Sequence, residues 1–184
     1  DALLRKEIPN TDREIIVIES NSDDGTRDLV LGYENHPDVK IVLQEKAAHQ
    51  LVMAGTGYES TRQTIAFSKK AQALGVDLVS LVTPSYFKKS LTDEALIRYY
   101  TEVAEAMSIP VFVYNAPGFT GLTVSAGVIE TLSQHPNIGG MKDTSPAGLA
   151  GYLEVCADDF DVLAGSMNTL FIGLSLGASG GVIS

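Results

Sequence analysis

From Leu51 onward the chain alternates short apolar runs with longer amphipathic segments, and this alternation constrains the fold more than any single motif. The apolar runs begin near Leu51, Asp77, Pro110, Asn137, Phe160 and Gly180. Apolar residues at helical spacing predict helices over residues 61–74, 93–107 and 125–133, with weaker helical patterns over 149–157 and 167–176. Strands that alternate with helices imply a parallel sheet, because a parallel crossover needs a dozen or more residues and a helix fills that length. The pace of roughly 23 to 33 residues per unit is that of a (β/α)8 barrel, which takes about 250 residues when complete.

Two further runs rich in β-branched residues, Glu14-Ile-Ile-Val-Ile-Glu-Ser20 and Val39-Lys-Ile-Val-Leu-Gln44, read as strands. Between them Asn21-Ser-Asp-Asp-Gly-Thr26 supplies turn and N-cap chemistry for a helix to about Tyr33, and residues 1–8 read as one or two helical turns before Pro9. The eight runs together give an α/β fold of the (β/α)8 type, truncated or with its first two strands replaced. One interval breaks the pattern, since only Glu45-Lys-Ala-Ala-His-Gln50 separates Gln44 from Leu51. That is too short for a parallel crossover. Either the flanking strands are not parallel neighbours, or the chain is joined near Ala47, or residues are missing there. His49, at this seam, reads as a solvated loop residue.

Charge and composition exclude several classes. A formal net charge of -10 over 184 residues argues against nucleic acid as a partner, because that affinity rests on Lys and Arg neutralising phosphates. No apolar run reaches the ~18 residues of a membrane span, and the N-terminal stretch has no signal-like apolar region, so a soluble protein is expected. The single cysteine, Cys156, allows no internal disulfide. It is expected to be a small core residue within a helix, and a reduced, cytoplasmic setting fits. No cluster of His, Cys and carboxylate residues has metal-ligand spacing, so no metal is expected. Gly55-Thr-Gly-Tyr-Glu-Ser60 lacks the lysine of a phosphate-binding P-loop.

In a parallel barrel the chemistry gathers where strands end on their C-terminal side. Those ends read Gly55-Thr56-Gly57, Thr83-Pro-Ser-Tyr86, Tyr114-Asn-Ala-Pro117, Lys142-Asp-Thr144, Gly165-Ser166 and Ile183-Ser184. Two of them carry an ionisable side chain with chemical potential, Tyr114 and Lys142. A strand-helix-strand unit turns both ends the same way, so amine and phenol can meet over one pocket. Desolvation favours the neutral form of an amine, which makes it a nucleophile toward a ketone and so a Schiff-base former. A phenol can relay the accompanying proton. Taken singly, Lys142 also reads as a surface lysine closing a strand and Tyr114 as half-buried packing. Gly55, Gly57, Thr83 and Ser166 read equally as strand-ending and helix-capping residues.

Two resemblances bear on these residues. Glu19-Ser-Asn-Ser-Asp-Asp-Gly-Thr26 resembles the second-strand motif of a GT-A type nucleotide-sugar glycosyltransferase over residues 1–46, without the leading acidic pair and with no later Asp-x-Asp metal motif. From Leu51 to Ser184 the chain resembles the N-acetylneuraminate lyase and dihydrodipicolinate synthase superfamily of class I aldolases. The matching segments are Ala54-Gly-Thr-Gly57 with Ser60-Thr61, Val82-Thr-Pro-Ser-Tyr86, Tyr114-Asn-Ala-Pro-Gly-Phe-Thr-Gly121, Pro136-Asn-Ile-Gly-Gly-Met-Lys-Asp143, Leu163-Ala-Gly165 and Gly177-Ala-Ser-Gly-Gly-Val-Ile-Ser184.

This second resemblance implies strands three to eight of a barrel over residues 51–184, beside a βαβ segment of other origin over residues 1–50. It implies that Lys142 forms an imine with a pyruvate-type 2-oxo acid and that Tyr114 relays the proton. Tyr86 would join the relay across a subunit interface, and Gly165, Ile183 and Thr56 would lie against the substrate. The imine is the only covalent group required, with no cofactor, and a homo-oligomer, tetramer or dimer, is implied. Phe119 stands where dihydrodipicolinate synthases carry an arginine that holds a substrate carboxylate, and an apolar ring cannot supply that clamp. A 4-hydroxy-2-oxoglutarate type aldolase or a related dehydratase is therefore the nearer expectation. The rival expectations are an inactive or engineered barrel scaffold and a nucleotide-sugar binding fragment.

Overall fold

The computed structural model describes residues 51–145 and 148–183, together with the backbone of two short strands, β1 (Ile15–Val17) and β2 (Val39–Ile41). The chain divides into two units, Asp1–Val52 and Met53–Ser184. In the first, β1 and β2 pair in parallel with Ile16 opposite Lys40, as a sheet of their own. The expected helical turns over residues 1–8, the turn at Asn21-Ser-Asp-Asp-Gly-Thr26 with the helix it starts to about Tyr33, and His49 lie outside the described residues.

In the second unit six strands, β3 (Met53–Gly55), β4 (Leu78–Val82), β5 (Val111–Asn115), β6 (Ile138–Asp143), β7 (Asp161–Ala164) and β8 (Gly180–Gly181), lie side by side in chain order. Every neighbouring pair is parallel. Right-twisted parallel strands joined by helical crossovers curl the sheet strongly, and with six strands the result is half of a (β/α)8 barrel rather than a closed one. The crossovers carry α1 (Thr61–Ala73), α2 (Asp93–Glu105), the short α3 (Pro117–Thr120), α4 (Ala126–Leu132), α5 (Leu149–Val155) and α6 (Met167–Leu176). The periodic segments thus formed helices within a few residues of their expected ends. The single turn α3 was too short to leave a period.

Local chemistry starts these helices. Ser60, Thr92 and Ser125 each turn a hydroxyl back to accept the backbone N–H three residues on, from Gln63, Ala95 and Val128. Asp93 and Glu94 put negative charge in the first turn of α2, where the helix dipole favours it. The caps also link neighbours, because the Ser125 hydroxyl donates to Asp93 Oδ2 at 2.7 Å and so ties the start of α4 to the start of α2.

Alternation along the strands separates two faces. Val79, Leu81, Val111, Val113, Met141, Val162 and Ala164 are fully buried on the outer face beneath the helices. Leu96, Tyr99, Tyr100, Val103 and Ala104 form the matching stripe of α2, recurring at helical spacing. Each large side chain so buried contributes about 1.5–3 kcal/mol. Ser80, Val82, Phe112, Tyr114, Lys142 and Leu163 occupy the inner, concave face. In contrast, Met167, Phe171, Ile172, Leu174 and Leu176 of α6 are exposed. Cys156 is the C-cap of α5 and only partly buried, not a core residue inside a helix as expected, because α5 stops one residue earlier. Among the described residues no helix is long and apolar enough to cross a membrane.

Candidate active site

The register of β5 and β6 sets Tyr114 opposite Lys142. That pairing depends on an irregularity. Val111 lies opposite Ile138, but Phe112 lies opposite Gly140, so Gly139 is an extra residue on β6. Val111 and Ile138 are both buried, and strict alternation from Ile138 would turn Met141 inward and Lys142 outward beneath the helices. The bulge reverses the phase. Met141 becomes fully buried on the outer face, and Lys142 projects beside Tyr114 on the concave face. Two successive glycines allow it, since a Cβ on Gly139 would come within 3.0 Å of the Phe112 ring, and one on Gly140 within 2.5 Å of it.

Lys142 is 8% exposed although its side chain ends in a polar amine. Its Nζ lies 4.5 Å from the centroid of the Tyr114 ring. The negative π-face attracts a cation at that position, whether an ammonium or a protonated imine. Below the pair, Phe112 and Gly140 form the floor, and Leu163 lies beside Lys142 on β7. Above it, Gly165 donates its N–H to the Asp143 carbonyl at 2.7 Å, and a Cβ there would collide with Thr144 Cγ2 and come within 2.9 Å of the Asp143 carbonyl oxygen. Only a glycine lets these two strand ends close at the rim.

Not every expected residue gathers at this point. Thr56 is 2% exposed, its Oγ1 lies 2.8 Å from Ser68 Oγ of α1, and its phase along β3 puts it on the outer face. The hydroxyl docks α1 against the sheet and does not gather with Lys142 and Tyr114 on the concave face. Tyr86 stands on the loop after β4, 79% exposed, in an edge-to-face contact with Phe87 at 4.8 Å between centroids. Glu59, which sequence reasoning passed over, anchors that loop by accepting the backbone N–H of Ser85 at 3.1 Å and of Tyr86 at 3.0 Å. Ile183 follows the last rung of the sheet, where Val182 N–H donates to the Ala164 carbonyl at 2.9 Å. Phe119, on α3, is 87% exposed. Thr83 donates its hydroxyl to the Tyr114 carbonyl at 3.2 Å and ties the ends of β4 and β5 together. Ser166 caps α6.

Also missed was a polar cluster on the outer face directly behind the pair. Asn115 and Asp143 are both fully buried, and Asn115 Nδ2 donates to Asp143 Oδ1 at 2.8 Å. The Tyr152 hydroxyl from α5 accepts from Asn115 Nδ2 at 3.1 Å and donates to the Val124 carbonyl at 2.6 Å. Burial, with a further contribution from the Asp143 charge, pushes the Tyr152 phenol up to about 12, so it stays a donor at neutral pH. The residues follow Tyr114 and Lys142 in sequence, but nothing local in the sequence joins them to Tyr152. Among the described residues no group of three or more His, Cys, Asp or Glu side chains gathers as metal ligands.

Known proteins match this arrangement. A 4-hydroxy-tetrahydrodipicolinate synthase of Geobacter sulfurreducens is 39% identical over 153 residues, which are 82% of this chain and 52% of the relative. The structure of a dihydrodipicolinate synthase from Acinetobacter baumannii complexed with pyruvate superposes with a TM-score of 0.69 at 34% identity, over 73% of this chain and 46% of the other. A 2-keto 3-deoxygluconate aldolase from Picrophilus torridus gives a TM-score of 0.67 at 31% identity, over 74% and 50%. The chain thus spans about half the length of the curated relatives it matches. The profile of the dihydrodipicolinate synthetase family matches residues 30–184, a span that begins before Ala47, and the glycosyltransferase likeness of the front segment gains no support. With this profile covering most of its length, and a bulge-presented lysine beside a tyrosine on the concave face of a half barrel, the chain belongs to the dihydrodipicolinate synthetase family.

Proposed function

We propose that the chain carries the imine-forming part of a Schiff-base lyase or aldolase acting on a pyruvate-type 2-oxo acid. The observation that carries this reading is the Lys142 amine held 4.5 Å over the Tyr114 ring on the open face of the sheet. Neutral Nζ adds to the ketone carbon, and loss of water from the carbinolamine leaves a protonated imine. Tyr114 donates the proton with which the carbinolamine hydroxyl leaves as water, and in the cleavage direction the resulting phenolate takes the proton of the substrate hydroxyl as the carbon-carbon bond breaks and the bonding pair moves into the imine to give an enamine. Protonation of the enamine carbon and hydrolysis of the imine release the 2-oxo acid and restore the amine. Gly165 and the backbone at Ile183 border the keto acid, and Tyr86 of a second copy completes the proton relay.

Phe119 favours a 4-hydroxy-2-oxoglutarate type aldolase or a related dehydratase over the dihydrodipicolinate reaction, because position 119 offers no anion clamp. In this reading residues 51–184 form barrel strands three to eight and residues 1–50 a separate βαβ segment, in a cytoplasmic homo-oligomer. The test is borohydride reduction in the presence of pyruvate, followed by mass spectrometry of the digested protein. A reduced pyruvate adduct on the Lys142 peptide, absent from Lys142→Ala, is the expected result. The rival reading is an inactive barrel scaffold. No adduct at saturating pyruvate would establish that rival.

A further inference from the structure

Behind the reactive pair, the sheet changes character for one rung. At Val113 and Met141 its outer face is apolar and fully buried, while at the next rung the same face carries Asn115 and Asp143, equally buried. Aliphatic side chains fill the preceding rung, so they would suit this one, and they would avoid the cost of desolvating a carboxylate and an amide. The polar rung is instead satisfied in full. Asn115 Nδ2 donates to Asp143 Oδ1 and to the Tyr152 hydroxyl, and Asn115 Oδ1 accepts the Val124 N–H at 3.1 Å. Asp143 Oδ1 accepts the Ser145 N–H at 3.0 Å, and Oδ2 accepts the Ser145 hydroxyl at 2.7 Å. Tyr152 donates onward to the Val124 carbonyl. One cluster thus binds β5, β6, the segment before α4, and α5.

We propose that Asn115, Asp143 and Tyr152 form a positioning clamp, which fixes the spacing and rotation of β5 and β6 so that the Lys142 amine stays over the Tyr114 ring. None of the three faces the amine, so they act through the backbone and not on substrate. The coupling is direct, because Asn115 and Asp143 share planar, stiff peptide units with Tyr114 and Lys142. A slip of one strand against the other at this rung carries the amine off the ring. Short hydrogen bonds with set directions resist such a slip, which aliphatic contacts permit. Only the catalytic consequence rests on the imine reading above; the geometric claim is tested without it.

The experiment uses the full chain with lysine labelled with carbon-13 at Cε. The Lys142 ε-methylene signal, identified by its loss in Lys142→Arg, is expected upfield of the other lysines through the ring current of Tyr114 and to return in Tyr114→Leu. Asn115→Ala and Asp143→Ala are expected to move the signal more than half-way back. Asp143→Asn keeps the Oδ1 acceptor for Asn115 Nδ2 and the Ser145 N–H, while its Nδ2 donates to the Ser145 hydroxyl, and is expected to retain the shift. Borohydride trapping with pyruvate is expected to slow about tenfold or more in the two alanine variants, with the half-saturating pyruvate concentration unchanged within about twofold, the signature of lost positioning rather than lost binding. An unshifted wild-type signal, or a signal unmoved in both alanine variants, overturns the proposal. Where Asn115→Ala and Asp143→Ala fail to fold, Tyr152→Phe decides: a partial return supports the clamp and an unmoved signal overturns it. If wild type forms no adduct, the imine reading fails, while the methylene signal still decides the clamp.

Discussion

Replacing Gly140 by alanine puts a methyl group where the sheet has no room for one. The new Cβ would fall on the Asp161 carbonyl oxygen, 2.5 Å from Phe112 Cε1 and 2.9 Å from Asp161 Cβ. Carbon pairs sit comfortably near 3.5–4.0 Å, so neighbours on two sides must each give about 1 Å. Neither gives cheaply. Phe112 is 7% exposed beneath Tyr114 and Lys142, and the Asp161 oxygen belongs to β7, whose register against Gly140 is fixed by the ladder. Overpacking typically costs 1–3 kcal/mol, and with backbone on one side the expected loss is at the top of that range, about 3 kcal/mol. Gly140 is also two residues from Lys142, so a displacement of ~1 Å should slow imine trapping by about a hundredfold. Gly151→Ala is the control, since it lies within α5 with nothing within 4 Å of the added Cβ, and should gain about 0.5–1 kcal/mol. Urea unfolding followed by far-ultraviolet circular dichroism measures both. If Gly140→Ala unfolds within about 0.5 kcal/mol of wild type, the steric account of this rung is wrong.

Further predictions concern the core, pH and selectivity. Tyr100→Phe removes a fully buried hydroxyl that donates to the Leu81 carbonyl at 3.1 Å and lies 3.4 Å from Thr83 Oγ1, and should cost about 1–2 kcal/mol in the same unfolding assay; no measurable loss would mean that these bonds contribute nothing net. Burial pushes the Tyr99 and Tyr152 phenols up to about 12 and that of Tyr100 further still. Unfolded phenols ionise near ~10, so above that pH the unfolded state binds fewer protons than the folded one. Stability should be intact below about pH 10 and fall as pH rises toward 12, seen as a declining urea midpoint; a flat profile would contradict the burial of these hydroxyls. Phe119→Arg, at an exposed position, should leave stability within about 0.5 kcal/mol. It should also raise the preference for a carboxylate-bearing over a neutral aldehyde acceptor about tenfold in kcat/KM, and an unchanged ratio would remove position 119 from the specificity argument.

What the sequence determined by itself was everything carried by local period and local chemistry. Apolar spacing located the helices, and the strand-helix alternation set a parallel sheet in chain order. Because parallel units turn successive strand ends the same way, Tyr114 and Lys142 could be nominated as neighbours before any coordinate was known. The tertiary structure alone decided which face each residue shows. In Ile138-Gly-Gly-Met-Lys-Asp143 the glycine pair permits a bulge, but only pairing with β5 decides that one forms there and sends Lys142 to the concave side. Thr56 looked like a rim residue because face depends on register, and register is fixed by pairing with β4. Tyr152 could not be linked to Asn115 and Asp143, nor Glu59 to the loop bearing Tyr86, because such hydrogen bonds join residues distant in sequence. Period is a property of a segment, whereas register and burial belong to the segment's neighbours, and those exist only once the chain has folded.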